Sequence, residues 1–181
     1  AVDSVMTCSP SYLVMGMSAI TFYGGINGAE KFKKDVKERS GLSVSIGSDS
    51  TKNALNAFSG IKNVAFFSPY FPAANEQVSL YLEESGFNVK KDLCLQCNTW
   101  TDIAKVNKDT MFSSLKEIDS DNIDALIQVG TNLPMATFTE DFESTFDKPI
   151  IAINTATYWD ALRRNDITDK INGFGKLLSE Y

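Results

Sequence analysis

The sequence predicts an α/β fold with a largely parallel β-sheet, and three observations support this. Short apolar runs alternate with segments of helical spacing along most of the chain, which is typical of βα units. A related pattern occurs twice, at residues 3–11 and 124–134, where an acidic residue and a short apolar run lead into small and hydroxyl-bearing residues. The 181 residues, of which 43% are hydrophobic, are enough to bury the core of such a sheet.

Six apolar runs have the length of buried strands. They cover residues 4–7, 42–46, 64–67, 89–95, 125–129 and 150–153. Between these runs, apolar residues recur every three or four positions, as Ala29, Phe32 and Val36 do, and such stripes are typical of helix faces that pack against a core. We attribute the stripes to packing and look for function in the turns between the elements.

The composition argues against several classes of partner and site. A net charge of -6 and a pI near 4.7 leave no basic surface for nucleic acid. No apolar stretch reaches the roughly 20 residues of a membrane-spanning helix, and no secretory signal opens the sequence, so we expect a cytoplasmic protein without membrane contact. Because the chain has no histidine, a metal site is not indicated, and acid–base chemistry must use a thiol, carboxylate, phenol or lysine.

Four turns that follow predicted strands are rich in small polar residues. They cover residues 8–11, 47–51, 68–72 and 130–134. Because parallel strands end at a common sheet edge, where ligands bind in open α/β sheets, these turns indicate a site for a carboxylate or similar anion. The candidate donors are the side chains of Ser9, Ser11, Tyr70, Thr131 and Asn132. The alternative is that these residues only cap helices.

Cys8 lies where the first predicted strand would pass into a helix. A thiol beside the amide groups of such a turn would have a lowered pKa and could transfer a proton or attack a carbon atom. The alternative is a small, buried core residue. The corresponding position in the second copy of the pattern is Gly130, so only one of the two turns carries a thiol.

The other two cysteines, Cys94 and Cys97, have the spacing of a redox dithiol. Redox pairs normally open a helix, whereas this pair ends a strand-like run. Structural burial is therefore the favoured interpretation, with a redox or zinc site as the alternative. An odd number of cysteines does not suggest a disulfide framework.

Taken together, these segments resemble the aspartate/glutamate racemase superfamily, and most closely its arylmalonate decarboxylase and maleate isomerase branch. The resemblance runs from end to end of the chain. It is carried by the two strand-end motifs and by residues 15–18, 22–25, 68–70, 75–76, 151–162 and 173–178. It implies two parallel-sheet α/β lobes related by a pseudo-two-fold axis, with a cleft between them. The first lobe would comprise residues 1–60 plus 154–181, and the second residues 61–153.

The resemblance also implies a cofactor-independent enzyme that isomerises or decarboxylates a small mono- or dicarboxylate. Members of the superfamily usually carry one cysteine on each lobe. Arylmalonate decarboxylases keep only the second-lobe cysteine, and maleate isomerases use the first-lobe cysteine as a nucleophile. In this sequence Cys8 matches the first-lobe position, and Gly130 stands at the second.

The hypothesis is therefore a reaction that uses a single thiol. Cys8 would be the catalytic residue, and no cofactor or metal would be needed. The residues expected to bind the substrate carboxylate are Ser9, Ser11, Tyr70, Gly130, Thr131 and Asn132. Trp100 and Ile103 would line the pocket, with core packing as the alternative for both.

A second hypothesis is a degenerate carboxylate-binding protein that has the pocket but no turnover. The sequence begins almost directly on the Cys8 segment, whereas relatives carry a further strand and helix before it, so we expect an incomplete first lobe. Substrate identity stays open, as does the oligomeric state, for which a homo-oligomer is one option.

Overall fold

The computed structural model describes residues 1–181 as an α/β protein with two parallel sheets. The strands are β1 (Leu13–Val14), β2 (Val44–Ser45), β3 (Asn63–Ser68), β4 (Asn88–Cys94), β5 (Ala125–Gln128) and β6 (Ile150–Ala152). The helices are α1 (Val2–Met6), α2 (Ala19–Phe22), α3 (Gly25–Ser40), α4 (Gly47–Ala57), α5 (Pro72–Glu84), α6 (Trp100–Ala104), α7 (Lys108–Ile118), α8 (Thr139–Phe146), α9 (Ile153–Arg163) and α10 (Lys176–Glu180). None of these helices combines the length and apolar character that a membrane crossing requires.

β1 and β2 form a two-stranded sheet, and the other strands form a four-stranded sheet in the order β4-β3-β5-β6. All pairings are parallel. The expected α/β fold with parallel sheets is thus confirmed. The division into two lobes at residues 60/61 and 153/154 stays a prediction.

Strands β3, β5 and β6 of the four-stranded sheet are buried on both faces. Side chains of a strand alternate between the faces, so Val64 and Phe66 of β3 join one hydrophobic cluster, while Ala65 and Phe67 join another. The first cluster also contains Leu13 of β1 and residues of α3, α4, α5 and α9. One continuous core therefore holds the two sheets against each other.

Five of the six predicted strands are confirmed, and the first is wrong. Residues 4–7 belong to α1 and the turn after it, and the first strand is β1, which the prediction missed. The partly buried residues of α1 are Val2 and Met6, which lie one helical turn apart, whereas the residues between them are exposed. Helical spacing therefore describes this segment better than strand alternation, and α1 packs against α3.

A buried carboxylate, Asp160, joins α9 to β2 and α4. Its Oδ2 atom accepts hydrogen bonds from Ser45 at 2.6 Å, Ser50 at 3.2 Å and the Arg164 Nε at 2.8 Å. Its Oδ1 atom accepts from the Asn53 amide at 2.8 Å. A buried charge is tolerated only when it is paired and hydrogen-bonded, so these four donors are what permits Asp160 at this position.

We expect Asp160→Ala to lower the free energy of unfolding by about 2–4 kcal/mol, because four donors lose their acceptor in a mostly dry environment. Urea unfolding measures this loss. The matched control is Asp35→Ala, which removes an exposed carboxylate paired with Lys31 at 2.7 Å. No measurable loss is expected there, because exposed pairs contribute little. Equal losses in the two variants would contradict the role assigned to Asp160.

Candidate functional site

A cleft lies at the edge where the strands of both sheets end, as expected for open α/β sheets. Its first cavity has a volume of about 240 Å³. The lining residues come from the turns after β1, β3 and β5 and from α6. They are Gly16, Met17, Pro69, Tyr70, Trp100, Ile103, Gly130, Thr131 and Asn132.

Two turns at this cavity carry backbone N–H groups that make no hydrogen bond within the chain. They belong to residues 16–18 and 130–132. Two of the three carbonyl groups of the second turn are occupied, since the Gly130 oxygen accepts from the Gln128 side-chain amide at 2.8 Å and the Thr131 oxygen accepts from the Asn154 side-chain amide at 2.9 Å. The turn therefore presents more free donors than free acceptors, which favours binding of an anion.

Tyr70 connects the two sheets across the floor of the cleft. Its hydroxyl shares a hydrogen bond of 3.2 Å with the hydroxyl of Ser18, a buried residue that follows β1. Burial raises the pKa of the Tyr70 phenol, and the bond to Ser18 opposes this only in part. The phenol is therefore neutral at physiological pH. Two hydroxyl groups that share one hydrogen bond retain a second O–H proton, which is available to a ligand.

The Tyr70 backbone is held in place by the end of β3 and the start of α5. Its N–H donates to the Ser68 hydroxyl at 3.0 Å, and that hydroxyl donates to Asn75 at 2.5 Å. The Asn75 amide in turn donates to Asp92 on β4 at 2.7 Å. The phenol is thus carried by a turn whose polar groups are fixed by neighbouring elements.

A second cavity of about 400 Å³ adjoins the first and is mainly apolar. The two cavities share Pro69, Tyr70, Trp100 and Ile103. The second cavity is further lined by Tyr23, Phe71, Ala73, Ala74, Cys97, Asn98 and Thr99. A ligand with a carboxylate among the donors of the first cavity can therefore place an apolar group in the second.

Six of the residues predicted from the sequence line the first cavity together. They are Tyr70, Trp100, Ile103, Gly130, Thr131 and Asn132. Cys8, Ser9 and Ser11 are exposed and do not line it. Their contribution to carboxylate binding or catalysis is not supported by this arrangement.

The expected position of Cys8 opposite Gly130 is wrong, because the segment before it is helical. Cys8 follows α1 and comes five positions before β1 begins, so it lies toward the amino end of β1, whereas the cleft is at the carboxyl end. An ion pair supports this placement. Asp3 of α1 binds Arg39 in the last turn of α3, the helix that leads back to the start of β2.

Gly16, not Cys8, is the residue after β1 that lies at the cavity with Gly130, and the sequence interpretation missed it. The sequence does contain a pattern that indicates Gly16. The apolar residues 13–15 are followed by Gly16-Met17-Ser18, just as the apolar end of β5 is followed by Gly130-Thr131-Asn132. β1 has only two residues, so its run of apolar residues was too short to stand out.

The two glycines differ in the space around them. At Gly16, a Cβ atom would meet no other atom within 4 Å. At Gly130, where φ is +110°, a Cβ atom would lie 2.5 Å from Cδ and 2.7 Å from Cγ of Pro69. A side chain therefore fits at residue 16 and is excluded at residue 130.

Cys94 and Cys97 are free, partly buried thiols. Burial raises the pKa of both, and the carboxylates of Asp92 and Asp102 add to the effect for Cys94 and Cys97, respectively. A redox dithiol needs a stabilised thiolate, which is the opposite tendency. The pair therefore fits the structural interpretation better than the redox alternative.

We expect Gly130→Ala to lower the free energy of unfolding by about 2–4 kcal/mol, because the added methyl group meets Pro69 and the positive φ disfavours an L-residue. Gly16→Ala is the matched control, and we expect a change within about 0.5 kcal/mol of zero, since the space is open. Chemical denaturation of both variants measures the difference. A Gly130→Ala protein as stable as Gly16→Ala would contradict the steric argument.

Comparison with known proteins places the chain in a family. A family model described as arylmalonate decarboxylase matches residues 8–178. Among curated proteins, the maleate isomerase of Nocardia farcinica is 27% identical over 120 residues, which are 66% of this chain and 48% of that protein. The maleate isomerase of Alcaligenes faecalis is 21% identical over 121 residues, again 66% and 48%. The chain thus spans about half the length of the curated relatives it matches.

Solved structures share the fold over nearly the whole chain. A Nocardia farcinica maleate cis-trans isomerase variant with a covalently bound succinylcysteine intermediate superposes with a TM-score of 0.93 at 22% identity, covering 99% of this chain and 76% of that one. Arylmalonate decarboxylase superposes with a TM-score of 0.90 at 20% identity, covering 99% and 80%. The relatives and structural neighbours are enzymes, maleate isomerases and arylmalonate decarboxylase.

Proposed function

Since the chain belongs to the arylmalonate decarboxylase family, we propose that its cleft binds a small carboxylate and supports decarboxylation rather than cis–trans isomerisation. The substrate class is a malonate-type acid, with two carboxylates and an apolar group on one carbon. The observation that carries the proposal is the cleft itself. It joins an anion-binding cavity to an apolar cavity, and no thiol lines the first cavity.

The first cavity supports binding of the carboxylate that stays. The unpaired N–H groups of residues 16–18 and 130–132 border it, and the Tyr70–Ser18 pair keeps one O–H proton to donate. The Thr131 hydroxyl and the Asn132 side chain lie at the same cavity, although the Asn132 amide also donates to the Trp100 carbonyl at 2.5 Å. These groups hold an anion without any metal.

With the apolar group in the second cavity, the carboxylate that is not bound by these donors is the one that departs. As the bond between the α-carbon and this carboxylate breaks, its electron pair passes to the α-carbon and the bound carboxylate, and carbon dioxide leaves. The resulting enediolate carries its charge where the donors of the first cavity lie, and fixed donors stabilise such developing charge. Water then supplies the proton that forms the new C–H bond, because Gly16, Met17 and Trp100 are exposed at the mouth of the cleft.

Isomerisation fits the cleft less well. Rotation about a carbon–carbon double bond requires a nucleophile that adds to it and later leaves, and a thiolate is a suitable group. Cys8 lies toward the amino end of β1, away from the cleft. Cys97 lines only the second cavity, and the pKa of its thiol is raised. Loss of carbon dioxide needs no such nucleophile.

A second candidate function is carboxylate binding without turnover. It is favoured by the same observation, because no cysteine lines the first cavity and could donate a proton to an intermediate. The two candidates differ in one measurement, since both require saturable binding of a small carboxylate but only the first yields a product. Calorimetry with phenylmalonate tests binding, and detection of phenylacetate tests turnover.

Tyr70→Phe is the test of the anion site. We expect kcat/KM for phenylmalonate to fall about 100-fold, because a donor to the developing enediolate is lost. The matched control is Tyr12→Phe, which removes a phenol bonded to Ser45 at 3.0 Å but absent from the cavity lining. Full activity of the Tyr70→Phe protein would refute the role of this phenol. Phenylmalonate bound but never converted by the unmodified protein would leave the binding function and reject decarboxylation.

Cys8→Ser is the test of the thiol hypothesis. We expect unchanged phenylmalonate affinity and unchanged turnover, because Cys8 is exposed outside the cleft. Steady-state kinetics and calorimetry on the same preparation measure both quantities. A large loss of turnover with unchanged affinity would reinstate Cys8 as a catalytic residue.

A further inference from the structure

We propose that Asn172 is a site of spontaneous deamidation, at which water converts the side-chain amide to a carboxylate without any enzyme. Asn-Gly dipeptides occur twice in the chain, as Asn27-Gly28 and Asn172-Gly173. Because glycine has no side chain, the peptide nitrogen after the asparagine is sterically open and its backbone adopts many conformations. The two dipeptides therefore have the same local chemistry, and their surroundings in the fold decide which of them reacts.

Asn172 and Gly173 lie in an exposed segment between α9 and α10 that forms neither a helix nor a strand. The backbone N–H of Gly173 makes no hydrogen bond to another backbone group of the chain. Backbone without such bonds opens at little cost in free energy. The Gly173 nitrogen is therefore free to approach the side-chain amide of Asn172. Neither residue lines the first or the second cavity of the cleft.

Asn27 is exposed as well, so access of water does not distinguish the two dipeptides. Asn27 and Gly28 belong to α3, however, and the Gly28 N–H donates to the Gly24 carbonyl at 3.0 Å. This end of α3 is anchored by Glu84 of α5, which accepts the Ile26 N–H at 2.7 Å. Attack on the Asn27 side chain requires the Gly28 N–H to leave its acceptor and the helix to open, which costs free energy. The helix therefore protects Asn27.

The reaction is a cyclisation followed by hydrolysis. A solvent base removes the N–H proton of Gly173, and the nitrogen attacks the side-chain carbon Cγ of Asn172. The new C–N bond closes a five-membered succinimide, the bond from Cγ to Nδ2 breaks, and the leaving nitrogen takes up a proton and departs as ammonia. Water then opens the ring at one of its two carbonyl carbons, which gives aspartate or isoaspartate. Either product adds one negative charge to the chain.

The isoaspartyl product also changes the length of the backbone, because its main chain runs through the former side chain and gains one carbon atom. Ile171 and Phe174, on either side of the dipeptide, pack against the first hydrophobic cluster. The Ile171 N–H donates to the Leu178 carbonyl of α10 at 2.9 Å. A longer chain between Ile171 and Phe174 cannot keep all of these contacts unchanged. We therefore expect isoaspartate at residue 172 to loosen the attachment of α10.

Peptide mapping by mass spectrometry tests the site in the full chain, incubated folded at mildly alkaline pH. Deamidation adds about 1 Da to the peptide that contains the modified residue. We expect Asn172 to convert at least about 10-fold faster than Asn27, because only Asn27 is protected by a helix. A smaller ratio would overturn the proposal. In guanidinium chloride the two rates should agree within about threefold, since neither dipeptide is then protected. A preference for Asn172 that persists in the unfolded chain would show that the fold does not cause it, and would overturn the proposal as well.

Asn172→Gln tests the consequence for packing. Glutamine would have to close a six-membered ring, which forms more slowly, so this variant should not gain mass at residue 172. Asn27→Gln is the matched control and should convert at Asn172 as the unmodified protein does. After equal incubation, we expect the thermal midpoint of the unmodified protein to fall by about 2–4 °C and that of Asn172→Gln to stay unchanged. Electron-transfer fragmentation identifies isoaspartate in the incubated samples. Protein that contains isoaspartate at residue 172 and melts like Asn172→Gln would overturn the predicted effect on α10.

Discussion

The parallel strands β1, β3 and β5 rest on one continuous hydrophobic core, and the cleft depends on this arrangement. Each strand runs in the same direction within its sheet, and the shared core holds the two sheets side by side. The turns after the three strands therefore meet at one edge. Ser18 follows β1 and Tyr70 follows β3, so their hydrogen bond joins segments that come after strands of different sheets.

Local donors, rather than overall charge, make this edge suitable for an anion. The chain carries a net charge of -6, so its long-range field does not attract a carboxylate. Free N–H groups and a neutral phenol act only over short distances, but they are fixed before the ligand arrives. Preorganised donors of this kind stabilise charge without reorganisation during a reaction.

The surroundings of Gly130, which include Pro69, differ from the surroundings of Gly16, the other glycine that lines the cavity. Both glycines follow a short parallel strand, yet one is enclosed by a proline ring and the other faces open space. The difference arises from the turn after β3, whose Pro69 ring lies beside Gly130. Similar local sequences after two strands thus acquire different surroundings from a third segment of the chain.

The sequence by itself determined the elements that leave a pattern of several consecutive residues in the chain. Strands β2 to β6 and most of the cavity lining, including Tyr70 and Gly130, follow from short apolar runs and from the small polar residues that come after them.

Only the tertiary structure decided the features that depend on very short segments or on contacts between distant parts of the chain. Residues 4–7 have the length of a buried strand in the sequence, but they belong to α1 and the turn after it, and α1 packs on α3, so Cys8 lies outside the cleft. β1 is recognisable as a strand only because β2 pairs with it. The contact between Pro69 and Gly130 joins residues 61 positions apart, and no local pattern reports such a contact.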